Sequence, residues 1–181
     1  WVAALACYPP LVLMGDGGIF NYHIATADWA YWVAGDLTMQ WVWGAILVFL
    51  TGVYAWATMI FGLRFSNLTN RGVITNGPYA WTKHPAYISK NTFWWLSTLP
   101  FLVTNGSMMD AARNTAMLAV VSLIYYWRAR TEEAHLRAED PAYVAYEQWM
   151  AQNAPITRFF VRLKSLIIGV RREQPPMQPA E

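Results

Sequence analysis

The sequence predicts an all-α protein: a polytopic membrane helix bundle of about four spans with a helical C-terminal segment on the cytoplasmic side. Three observations predict it. Hydrophobic residues fill 56% of the 181 positions and include 11 Trp, 10 Tyr and 8 Phe, which is too apolar and aromatic for an ordinary soluble domain. Charged residues make up only 13%, and they separate apolar runs of near-spanning length, whose backbone groups a bilayer forces into helices. Of the 13 Lys and Arg, Arg113 lies on one side of these runs and Lys90 inside one; the remaining eleven (13 − 2) gather on the other side, which marks that side as cytoplasmic.

The first apolar run, residues 1–14, is short against the roughly 20 residues a span needs. It is expected to be the remainder of a span, and its lack of a basic start argues against a signal peptide. Cys7 lies in this run and is the one cysteine, so an intramolecular disulfide framework and a cysteine metal site are excluded. Residues 15–40 carry Asp16, Asp28 and Asp36 but no Lys or Arg, and the aromatics Phe20, Tyr22, Trp29, Tyr31 and Trp32 suit a segment or short helix lying in the interface.

The next span, 41–63, is uncharged, opens on Trp41 and Trp43 as interface anchors and ends before Arg64. A polar stretch follows, 71–91, RGVITNGPYAWTKHPAYISKN. Asn76-Gly77-Pro78 is a turn signal, because Gly accepts positive φ while Pro fixes its own. His84 is barred from αR by Pro85, and Pro85 suits a first helical position, so a helix is expected from 85 to about 104 with His84 at its mouth. Lys90 and Asn91 lie one to two turns inside that helix, and Pro100 interrupts its far end. Asn105-Gly106-Ser107 makes a turn, and 111–127 forms the last span.

A second polar cluster leaves that span: Arg128, Arg130, Glu132, Glu133, His135 and Arg137. On helical spacing Arg128, Glu132 and His135 share one face and Arg130, Glu133 and Arg137 another, so one carboxylate can face inward while the other is held by partners. Residues 131–151 read as a polar helix broken near Asp140-Pro141, with Tyr143, Tyr146 and Trp149 on one aromatic face. The two expected units are 1–151, a membrane domain, and 152–181, a basic amphipathic helix over 156–170 followed by a disordered Pro-rich tail.

GPYAWTKHPAY, followed after an apolar helical pair by RARTEEAHL and Tyr143-x-x-Tyr146, resembles the isoprenylcysteine carboxyl methyltransferase and phospholipid methyltransferase superfamily of membrane enzymes, over roughly residues 70–149. The resemblance implies a methyltransferase that binds S-adenosylmethionine at the cytoplasmic face and takes a lipophilic acceptor from the bilayer. It assigns Gly77, Pro78, Tyr79, His84, Tyr87, Glu132, Glu133 and Tyr146 to the cofactor. Lys83, Lys90 and Arg128 are the candidates for acting at the reacting groups. Lys83 stands where the family pattern has Arg, and Ser89-Lys90-Asn91 replaces a small, Gly-containing stretch. The residue types suit the role: carboxylates can hold an ammonium or ribose hydroxyls, and aromatic faces favour a sulfonium cation.

Two other readings compete. Membrane reductases of sterol or enone lipids, dependent on NADPH, share a His-Pro-x-Tyr helix start, and a non-catalytic subunit packed against membrane partners would suit the aromatic surface. A net charge of +2 gives no footprint for nucleic acid, and His23, His84 and His135 lack metal-ligand spacing. Asn67 and Asn105 match the glycosylation sequon, of which Asn67 falls on the cytoplasmic side and is expected to stay unmodified.

Overall fold

A computed structural model describes residues 21–61 and 74–159, and every regular element among them is helical. The expected truncated span, Arg64, Arg71, the Asn67 sequon, most of the amphipathic helix and the Pro-rich tail lie outside the described residues. The chain enters through a latch. Asn114, fully buried, donates from Nδ2 to the Ile24 carbonyl at 2.8 Å and accepts from the Ile24 N–H at 3.3 Å, while Arg113 donates to the Asn21 carbonyl. Asp28 then caps a one-turn helix, α1 (Trp29–Trp32), by accepting from the Tyr31 N–H.

α2 (Leu37–Phe61) is 25 residues long and starts four residues before the predicted Trp41. Asp36 explains the earlier start, because its carboxylate accepts from the Met39 N–H and satisfies an orphan donor of the first turn. At about 1.5 Å per residue α2 is long enough to cross a bilayer. It is the one such helix among the described residues, and only 11% of its most apolar window is buried. Trp41, Val48, Phe49 and Met59 all stand more than half exposed, as lipid-facing side chains would. Of the about four spans the sequence predicts, one helix among the described residues meets the criterion of length and apolarity.

The described chain resumes at residue 74 and forms a 3-10 turn, Gly77–Ala80, whose first residue has φ +58°. A Cβ at Gly77 would lie 2.5 Å from the Ile60 Cδ1 and 3.3 Å from the Trp56 ring, so the position combines left-handed backbone with close approach to α2. Gly77→Ala is expected to cost about 1–2 kcal/mol, seen as a lowered thermal midpoint in detergent; an unchanged midpoint would show that Ile60 yields freely.

α3 (Pro85–Thr98) starts where Pro85 places it, with His84 as N-cap. It ends six residues before the predicted 104. Pro100 disfavours αR at Leu99, which turns to φ +43° and terminates the helix before Pro100 is reached. At 14 residues α3 is short for a span. It packs antiparallel on α2, pinned at the far end by the Trp43 indole N–H on the Leu96 carbonyl.

α4 (Met108–Glu139) is one continuous helix of 32 residues, where the sequence suggested a span and a separate polar helix. Ser107 caps it, and no Gly or Pro interrupts it before Pro141, so the apolar part runs unbroken into the charged part. The break at Asp140-Pro141 is as expected: Asp140 accepts from the Ala142 N–H and Pro141 opens α5 (Pro141–Asn153). The buried stripe of α5 is Tyr143, Tyr146 and Met150, with Trp149 nearly half exposed. Positions i, i+3 and i+7 hold one face at 3.6 residues per turn, whereas i+6 rotates away. Between α3 and α4 the core is Tyr22, Leu118, Val121 and Tyr125, flanked by Tyr87, Trp94 and Trp95.

Candidate cofactor and acceptor site

The site forms where the 3-10 turn, the start of α3, the charged end of α4 and the middle of α5 converge. His84 is an N-cap whose imidazole does not cap; its Nε2 instead reaches Glu133 Oε1 at 3.0 Å. Lys83 bonds the same oxygen at 2.8 Å. The other oxygen takes Arg130 at 2.9 Å and Arg137 at 3.3 Å. Glu133 is buried, and both its oxygens are occupied. Burial alone would raise its carboxyl, but hydrogen bonds from His84 and Lys83 outweigh that and hold it at about 2. An ionised carboxylate only accepts, so the His84 Nε2 carries the hydrogen.

Glu147 extends this cluster. Its carboxylate receives Arg137 through two nitrogens at 2.6 and 2.7 Å and Lys83 at 2.8 Å. The Arg137 bonds, reinforced by Lys83, hold it at about 2 against partial burial. Lys83 and Arg137 thus each bridge two carboxylates, and α5 is fastened to α4 and to the loop before α3. Tyr146 adds a bond from its hydroxyl to the Tyr79 carbonyl at 2.9 Å, and burial, with Tyr79 nearby, pushes its phenol up to about 12. Burial and the Glu132 charge likewise raise the Tyr79 phenol, so both tyrosines remain neutral donors at ordinary pH.

Glu132 lives differently. Tyr87 donates its hydroxyl to Oε1 at 2.7 Å, and Arg128 donates to the same atom at 3.1 Å while lying over the Tyr87 ring. Among the described residues Oε2 takes no hydrogen bond, and the side chain is 27% exposed. The adjacent glutamates therefore differ: Glu133 is a saturated clasp, and Glu132 has one oxygen with no hydrogen bond among the described residues.

The ring of Tyr87 stacks on that of His84, with an interplanar angle of 11°, and continues to Tyr125 and Trp94. Lys90 ends this row, donating to the Tyr125 hydroxyl at 3.2 Å. One residue on, Asn91 donates to the Tyr87 carbonyl, while its Oδ1 is buried with no donor among the described residues. Such an orphan acceptor fits a ligand donor.

The structure thus gathers Tyr79, Lys83, His84, Tyr87, Arg128, Glu132, Glu133 and Tyr146 into one region and joins Lys90 to it through Tyr125. Gly77 and Pro78 shape the loop against α2, and the contacts of Gly77 are with Trp56 and Ile60. Sequence reasoning missed Glu147 and Tyr125. Tyr125 was findable, since Tyr125, Arg128 and Glu132 lie at i, i+3 and i+7 on one helical face.

No curated protein and no solved structure matches the chain. A family model does, that of the isoprenylcysteine carboxyl methyltransferase family, over residues 37–138 of 181. That stretch holds α2, the 3-10 turn, α3 and α4 through Ala138, hence the Gly-Pro-Tyr turn, the His-Pro helix start and both glutamates. With more than half of its length matched, this chain belongs to the isoprenylcysteine carboxyl methyltransferase family of membrane methyltransferases.

Proposed function

We propose that the protein binds S-adenosylmethionine at the cytoplasmic membrane face, in the region between the 3-10 turn, the start of α3 and Glu132, and methylates a lipophilic acceptor drawn from the bilayer. The observation that carries the reading is Glu132, a carboxylate oriented by Tyr87 and Arg128 through one oxygen with the other left over. The residues fit that cofactor. Glu132 Oε2 and Asn91 Oδ1 can accept from an ammonium or from ribose hydroxyls, and the Tyr87 face can lie against a cation. When bound, the cofactor supplies an electrophilic methyl group on a sulfonium.

The chain's own part is placement. The Glu133 and Glu147 clasp fixes the loop carrying Tyr79 and His84, Arg128 restrains Glu132 and Tyr87, and the Trp94 and Tyr125 rings help exclude water between α3 and α4. No covalent enzyme intermediate is required for methyl transfer, and no serine or cysteine nucleophile is needed.

Ligand-dependent stability tests the reading. With detergent-purified protein, S-adenosylmethionine or S-adenosylhomocysteine at about 100 times its Kd is expected to stabilise the native state by roughly 2.7 kcal/mol, raising the thermal midpoint. NADPH is expected to leave it unchanged. Stabilisation by NADPH alone would move the protein to reductase chemistry, and no response to the S-adenosyl compounds would contradict the proposal.

A further inference from the structure

α5 carries the chain out of the site, and its docking fixes where the C-terminal residues begin. The turn at Gly77–Ala80 lies against Trp56 and Ile60, in the last turns of α2, where that helix reaches the membrane surface. Tyr146 is tied to this turn through the Tyr79 carbonyl, and Glu147 to Lys83 and Arg137. The middle of α5 is therefore held at the level of that surface. Its buried face is Tyr143, Tyr146 and Met150, while Val144, Gln148, Trp149 and Gln152 on the opposite face are exposed and uncharged.

Ala154 still packs with Tyr143, Tyr146 and Met150, but its ψ of 124° ends α5, because Pro155 bars αR at the residue before it. The chain re-enters a helix at once. Residues 155–159 are helical, Pro155 suits a first helical position, and the Arg158 N–H reaches the Ala154 carbonyl at 2.8 Å. The sequence changes character here. Between Glu147 and Glu173 there is no Asp or Glu, while Arg158, Arg162, Lys164, Arg171 and Arg172 alternate with apolar residues. At helical spacing Ile156, Phe159, Leu163, Ile167 and Val170 fall on one stripe, i, i+3, i+7, i+11 and i+14, and Arg158 and Arg162 fall away from it.

We infer that residues 155–172 are a docking surface for the anionic headgroups of the leaflet on the site's side of the membrane. The apolar stripe enters the headgroup boundary, and the basic side chains lie among the lipid phosphates and carboxylates. Each Lys or Arg near such a leaflet strengthens the attachment roughly fivefold, so five of them with no opposing acid favour an anionic leaflet strongly over a zwitterionic one. Because α5 already holds residue 155 at the surface, the segment meets the leaflet at high effective concentration. Tyr146 and Glu147 belong to the helix just before it, so the attachment also steadies the loop of Tyr79 and Lys83. This inference goes beyond the methyltransferase reading and does not depend on it.

The test is amide hydrogen exchange of the full chain in nanodiscs of phosphatidylcholine alone and of phosphatidylcholine with about one third phosphatidylserine, each at low salt and at about 0.5 M salt. With the anionic lipid at low salt, exchange across residues 156–172 is expected to slow roughly tenfold or more, and high salt should reverse most of the slowing. A variant combining Arg162→Gln, Lys164→Gln, Arg171→Gln and Arg172→Gln should lose most of it too. The amides of α4 serve as reference and should exchange alike in both discs. Equal exchange of residues 156–172 in the two lipids would overturn the inference, leaving an apolar contact with bilayer or protein. Slowing undiminished by high salt or by the four substitutions would overturn it as well. Should the variant fail to fold, the lipid and salt comparisons on the wild type still decide.

Discussion

Glu133→Ala is expected to destabilise the protein by about 3–5 kcal/mol, enough to lower its thermal midpoint by several degrees or to prevent its purification in folded form. The side chain is only 5% exposed, and its removal leaves Lys83, His84, Arg130 and Arg137 crowded without the charge that organises them. Breaking a buried ionic cluster by deleting one member costs more than the cluster's net worth, because the remaining charges stay desolvated. The acid side of the stability profile gives a second readout. Glu133 and Glu147 are each held at about 2 against an ordinary value of 4.5. A depressed carboxyl contributes stability that is complete above its unfolded value and is lost as pH falls through its folded one. Stability should therefore decline from about pH 4.5 toward 2, and the decline should be shallower in Glu133→Gln, which keeps the shape and removes one of the two titrating groups. A Glu133→Ala protein as stable as the wild type would show that the clasp is incidental.

Glu132→Gln should do the reverse. Its side chain is partly exposed and its two partners, Tyr87 and Arg128, can hold an amide oxygen, so the thermal midpoint of the ligand-free protein should move little. Affinity for S-adenosylmethionine should fall by roughly 10- to 100-fold, the effect of one or two lost hydrogen bonds from donors to a charged acceptor. Two neighbouring glutamates with opposite phenotypes, one on folding and one on binding, would follow directly from how their oxygens are used.

Much of this arrangement was legible in the sequence, and the residues show why. His84-Pro85 dictated a helix start because Pro fixes its own backbone and restricts its neighbour's, a local rule that tertiary packing did not disturb. The same rule ended α3 at Leu99, where the helix had been expected to run past Pro100 to about 104. Helical spacing divided the polar cluster of α4 into two faces, but which face turns inward depends on where α5 and the loop dock. Lys83 and Glu147 meet across 64 residues, and no local pattern announces that pair. Tyr125 was legible in part: its spacing puts it on the face of Arg128 and Glu132, but the approach of Lys90 to its hydroxyl comes from another helix and leaves no local mark. Trp149 was misplaced by counting aromatics at spacings of three, where the period of 3.6 selects Met150.

The most direct test of the central claim is equilibrium binding of S-adenosylmethionine, labelled in its methyl group, to folded wild-type protein and to Glu132→Gln, with NADPH as competitor. The account predicts saturable binding to the wild type that NADPH does not displace, weakened at least about tenfold in the variant. Absence of saturable binding to the wild type, or equal affinity in the two proteins, would contradict it.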